Sequence, residues 1–103
     1  MILDWPPIPG VQACMSERPG GVSAPPWDAL NLGNHVGDDP QAVARNRQLL
    51  AQRLGARPVF MEQVHGTAVL ALGRDTPDGL QADACLTKEP GVACTVMVAD
   101  CLP

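Results

Sequence analysis

Residues 16–40, SERPGGVSAPPWDALNLGNHVGDDP, make one long glycine- and proline-rich stretch, and this limits the fold more than any other feature of the chain. Its prolines lack the amide hydrogen that helix and sheet ladders require, so it is neither a helix nor a central strand. Connections of this length are functional loops or disordered segments. Val22, Trp27, Leu30, Leu32 and Val36 recur through the stretch at intervals suited to pinning it onto a core, so an ordered loop is the expectation. The ten glycines and eleven prolines of the whole chain lie scattered between apolar runs without a repeat, the pattern of a loop-rich globular fold.

The 103 residues suffice for one small domain, and 46% hydrophobic against 17% charged residues allows a packed core. Aromatic residues are scarce, with no tyrosine, so Val, Leu, Ala and Met must build that core. Seven basic against eleven acidic side chains give a net charge of -4, which leaves no basic surface for nucleic acid. No apolar stretch approaches the ~20 residues of a membrane span, and MILDWPPIPG lacks the basic start and apolar centre of a signal peptide. The expected compartment is therefore the cytoplasm. The four cysteines form no CxxC pair and are expected to remain thiols. Cys14, Cys85 and Cys94 lie in apolar runs and are expected in the core.

A helix is expected from Pro40, with Asp39 as its cap and Gly55 as its left-handed stop. Val43, Leu50 and Leu54 mark its apolar stripe. Short strands are expected over 11–15, on either side of His65–Gly66, over 82–87 and over 92–98. The last run, VACTVMVADCLP, climbs through an apolar strand pattern and stops on Asp100–Pro103, whereas natural C-termini are usually polar and frayed. The expectation is an N-terminal piece of a longer domain.

His65 follows a strand and precedes a glycine, where a ring can reach a site at a strand end. The same position suits a half-buried histidine satisfied by backbone. Cys101 also follows a strand, beside Asp100. Together His65 and Cys101 offer nitrogen and sulfur to zinc, one ligand short of the usual three, or else a histidine base for a thiolate nucleophile. An inert buried cysteine is the third reading. In ERPGGVS, successive amides could form an anion-binding nest with Arg18 adding charge, or simply a tight turn with a solvated arginine. Phosphate-loop spacings are not matched. Asp38 and Asp39 could pair as acids, but a turn residue and a helix cap explain them better.

The ordered series RPGGVS, WDALNLGNHVGDDPQAV followed by NR, EQVHG, ADACLT and VMVADCLP resembles the N-terminal part of the YfiH-like laccase-domain family, from about Gly10 onward. That family is also called multicopper polyphenol oxidoreductase, peptidoglycan editing factor or purine nucleoside phosphorylase. The resemblance implies an α+β fold, a three-layer α/β/α domain with a mixed sheet, of which residues 1–103 are the N-terminal part. It further implies a metal site of one cysteine and two histidines. His65 takes the QVHG position and Cys101 the ADCLP position, and the second histidine belongs to an HAGWRG motif expected beyond Pro103. Arg18, in a loop with Ser16 and Glu17 where relatives often carry Thr or Ser pairs, and Asn31 are the candidate substrate or phosphate contacts. Trp27 stands where tyrosine is frequent.

Three activities follow from the resemblance. The first is a zinc-dependent purine nucleoside phosphorylase with adenosine deaminase-type activity, acting on a nucleoside and phosphate. The second is a copper-dependent polyphenol oxidase (laccase), for which two histidines in 103 residues are few. The third is a hydrolase editing peptidoglycan precursors. The fragment alone is expected to be inactive.

Overall fold

The computed structural model describes residues 8–98, so Cys101 and its neighbours lie outside the described residues. One helix, α1 (Pro40–Leu54), is followed by four short strands: β1 (Arg57–Phe60), β2 (Val69–Leu72), β3 (Ala84–Thr87) and β4 (Val92–Thr95). The chain divides into two compact units, Met1–Asn46 and Arg47–Pro103, and the division falls inside α1.

The helix starts and stops for the expected reasons. Asp39 accepts the Gln41 amide at 3.0 Å, and its own carbonyl accepts the Val43 amide at 3.1 Å. Gly55, at φ 64°, donates to Ala51 and ends the helix in the left-handed region. Val43 and Leu50 are buried as the stripe requires, while Leu54 is half-buried. Between them Asn46 is 0% exposed, a polar residue on the buried face.

Asn46 organises the first unit. Its side-chain oxygen accepts the Val22 amide at 2.8 Å, and its amide nitrogen donates to the Ser23 hydroxyl and to the carbonyls of Ala29 and Asn31. Ser23 in turn donates to Asp38 at 2.5 Å. The long loop is therefore ordered, as expected, but for a different reason. Of its five apolar residues only Leu30 is buried; Trp27 and Leu32 are half-buried, and Val22 and Val36 are exposed. Polar bonds, not apolar pins, hold it. Gly21 lies so close to this network that a Cβ there would overlap the Ala29 carbonyl oxygen.

In the second unit β1 pairs with β4 and β2 with β3, both in parallel; Val59 faces Cys94 and Leu70 faces Cys85 in the two registers. Val59, Phe60 and Met61 are all buried, the continuous burial of a strand covered on both faces. Leu50, Leu72 and Ala82 complete that core. The composition of elements is that of an α+β fragment. Among the described residues, antiparallel pairing is limited to an isolated Ile8–Val11 bridge.

Two expectations need correction. Residues 11–15 form no strand ladder; Val11 only bridges Ile8 across a turn. The three cysteines are not core: Cys14 and Cys94 are exposed and Cys85 is half-buried. Four-residue strands in two-stranded ladders leave alternate side chains uncovered, so an apolar run does not by itself bury its cysteines.

Candidate functional site

β1 does not end at Phe60 as a structural rail. The chain continues alongside residues 80–82, with the Glu62 amide donating to Leu80 at 2.8 Å and the Ala82 amide to Glu62 at 3.2 Å. On reaching Gln63 it meets the segment leaving β4. The Gln63 side chain accepts the Met97 amide at 2.8 Å and donates to the Met97 carbonyl at 3.2 Å, so one side chain makes the pair of bonds a neighbouring strand would make. His65 thus lies just past the carboxyl end of β1, the place where parallel strands deliver residues to ligands.

The turn itself is built around Asp83. Its Oδ1 accepts the amides of Val64 at 3.0 Å and His65 at 2.9 Å, and its Oδ2 accepts that of Gly66 at 2.7 Å. Three successive amides pointing into one anion form a nest, and the required change of backbone hand falls on His65, at φ 60°. The hydrogen bond from Gly66, opposed by burial and reinforced by the His65 and Val64 amides and the nearby His65 ring, holds the Asp83 carboxyl below its ordinary value. Asp83 is accordingly ionised at neutral pH. The His65 side chain is exposed beyond this anchored backbone.

Cys101 falls outside the described residues. In sequence it follows Met97 by four positions. An imidazole nitrogen and a thiolate are donors suited to zinc or copper(I), so these two residues fit the metal that the motifs imply. Among the described residues no three His, Cys, Asp or Glu side chains gather as a metal group. The other thiols are different in kind. Partial desolvation, a hydrogen bond from the Cys94 thiol to Cys85 and the charge of Cys85 push the Cys94 thiol up to about 11, so that it stays a thiol at neutral pH.

Arg18 and Asn31 both lie in the loop of the first unit, with different partners. The Arg18 carbonyl accepts the amides of Ala29 and Leu30, and its guanidinium reaches the Asp28 carbonyl at 3.0 Å and carboxylate at 3.5 Å. The Arg18 side chain is 75% exposed. Asn31 donates to Gly33 and Asp38 and accepts from the Gly33 amide, so it braces the loop. The amides of Val22 and Ser23, which an anion nest in GGVS would need, are already taken by Asn46 and Ala29.

Residues 12–103 match the family described as multi-copper polyphenol oxidoreductase laccase. The chain belongs to this family. A purine nucleoside phosphorylase of Pseudomonas aeruginosa is 53% identical over 100 residues, covering 97% of this chain and 40% of the relative. The purine nucleoside phosphorylase YfiH of Escherichia coli is 50% identical over 105 residues, covering 100% of the chain and 43% of the relative. A crystal structure of a Neisseria meningitidis protein superposes with a TM-score of 0.85 at 43% identity, over 98% of this chain and 42% of that one. The chain therefore spans about two fifths of these laccase-family relatives. No helix among the described residues is long and apolar enough to cross a membrane.

The QVHG motif singles out His65 as a candidate, but the residues that hold its turn carry no such signal. Asp83 was visible only as part of the ADACLT motif, and Gln63 only as the residue before Val64 in EQVHG. Neither belongs to a metal-ligand or acid–base spacing that would have given it a role.

Proposed function

We propose that the protein acts as a zinc-dependent purine nucleoside phosphorylase with adenosine deaminase-type activity, on a small-molecule nucleoside and phosphate in the cytoplasm. His65 and Cys101 would hold the metal together with a histidine of an HAGWRG-like segment. Both units would then belong to the N-terminal part of one laccase-family domain. The observation that carries this reading is the anchored turn at His65, fixed beyond the carboxyl end of β1 by Asp83 and tied through Gln63 to the chain that leads to Cys101. The names of the relatives support the nucleoside as substrate.

When bound, zinc supplies Lewis acidity toward an oxygen nucleophile, and copper is the alternative metal. The chain's own residues do the holding. The His65 backbone is held by the three amides tied to Asp83, which fixes the point and direction from which its side chain leaves the turn. Arg18, largely exposed and beside Asp28, would be the cation for a phosphate, with its charge rather than the GGVS amides making the contact. In phosphorolysis a phosphate oxygen bonds to the sugar's anomeric carbon as the carbon–nitrogen bond to the purine breaks. Arg18 would hold that phosphate and Asn31 would brace the loop that presents it.

The family's description favours one second reading, a copper-dependent oxidase of phenols. Peptidoglycan-precursor hydrolysis would use the same His65 and Cys101. Assays on the protein at the full length of its relatives separate the three. His65→Ala and Cys101→Ala should each abolish inosine phosphorolysis, and the double variant should lose no more than either alone because both act through one metal. Cys85→Ala should turn over nearly as wild type. Full activity and metal content in Cys101→Ala, or phenol oxidation with stoichiometric copper and no phosphorolysis, would reject the proposal.

A further inference from the structure

We infer that Asp83 is a positioning residue for the metal-binding histidine, acting through the backbone of His65 rather than through its ring. The inference rests on the reading of His65 as a ligand and adds a residue to that site. Its ground is geometric. A carboxylate that only stabilised the fold could take any donors nearby, but this one takes the amides of three consecutive residues centred on His65, at 3.0, 2.9 and 2.7 Å.

His65 occupies φ 60°, a region that side chains with a Cβ disfavour. A turn needing that conformation would ordinarily carry glycine there, and Gly66 stands one position away. The chain has placed the strained conformation on the histidine and given it an anion to hold it, the arrangement expected when the direction of a side chain matters more than local stability. The anion is itself anchored: the Asp83 amide bonds the Ala68 carbonyl at 3.4 Å, where the β2–β3 ladder begins. The turn is thereby tied to two further parts of the second unit, this ladder through Asp83 and the segment leaving β4 through Gln63. Outer groups of this kind orient ligands and set metal affinity.

The test measures cobalt(II) binding, by its visible d–d absorption, in the protein at the full length of its relatives, stripped of metal. Asp83→Ala should weaken cobalt binding by about 10- to 100-fold and broaden the absorption band as the turn that carries the ring loses its fixed backbone. Asp83→Asn keeps an acceptor for the Val64 and His65 amides but loses the acceptor for Gly66, and should fall between wild type and Asp83→Ala. Leu72→Ala removes a buried side chain from β2 without touching the turn, and should keep wild-type affinity and band shape even where it loses more thermal stability. Equal loss of affinity in Leu72→Ala and Asp83→Ala would overturn the inference, because the effect would be one of general stability. Wild-type affinity in both Asp83 variants, with His65→Ala impaired, would overturn it while leaving His65 as a ligand. Wild-type affinity in His65→Ala would overturn the reading of the site itself.

Discussion

The loop at residues 16–40 and the turn at 61–68 both gather backbone amides around polar side chains, and they do so to opposite ends. In the first, the polar atoms satisfy one another: Asn46 fills four positions, Ser23 links Asn46 to Asp38, and Asn31 closes the ring. In the second, three amides converge on a single carboxylate and an imidazole is left exposed. A glycine pair advertised an anion nest in the first loop, yet the nest formed in the second. Glycines permit a nest; what makes one is the place where successive amides turn the same way and no internal carbonyl claims them.

This contrast makes the first loop a stability device and the turn a strained one, and each half can be broken. Asn46→Ala should cost on the order of 3 kcal/mol in a urea titration, since it removes at once the partner of the Val22 amide, the Ser23 hydroxyl and the Ala29 and Asn31 carbonyls. A loss below about half a kcal/mol, typical of a surface change, would mean the loop has another anchor. His65→Gly should move stability the other way. Relief of the left-handed conformation should exceed the extra chain entropy of glycine, raising stability by about 0.5–1 kcal/mol in a thermal melt of metal-free protein. A destabilised variant would show that the turn carries no strain.

The smallest effect concerns acid. The Ser23 hydrogen bond, opposed by burial and helped by the Asn31 and Asp39 donors, holds the Asp38 carboxyl below its ordinary 3.8. A lowered folded value means that its stabilising contribution is complete above the unfolded value near 3.8 and is lost as the pH falls below it through the folded value. In Asp38→Asn, the stability difference from wild type at pH 6 should shrink as the pH falls below 3.8, followed by tryptophan fluorescence, to which Trp27, whose indole donates to the Val36 carbonyl, contributes. A difference that stays constant down to pH 2 would assign the link to Ser23 and Asn31 without the charge.

What could be read from the amino acids follows the range of the interaction. The helix was legible because Asp39, Pro40 and Gly55 act within one turn of themselves, and the apolar stripe needs only the helix period. The strands near 57–60, 69–72, 84–87 and 92–95 were legible as apolar runs, but their partners were not, since parallel pairing depends on contacts distant in sequence. The cysteines misled for the same reason: Cys85 and Cys94 stand in apolar strands, and whether a strand face is covered is decided by what lies across it. Asn46 sat unnoticed on the apolar stripe because a lone asparagine looks like an interruption there, whereas its four partners come from 15 to 24 residues earlier. Asp83 and Gln63 were hidden likewise, one reaching back 17 to 19 residues and the other forward 34.

The full occupancy of the turn by Asp83 has a consequence for which ions can approach His65. Three inward-facing amides would, by themselves, draw in a phosphate and repel a metal ion. With the Asp83 carboxylate seated among them, their partial positive charge is already met from within the chain. The amides of Val64, His65 and Gly66 are thereby spent on an internal partner, and the turn has none of them left to offer an anion at His65.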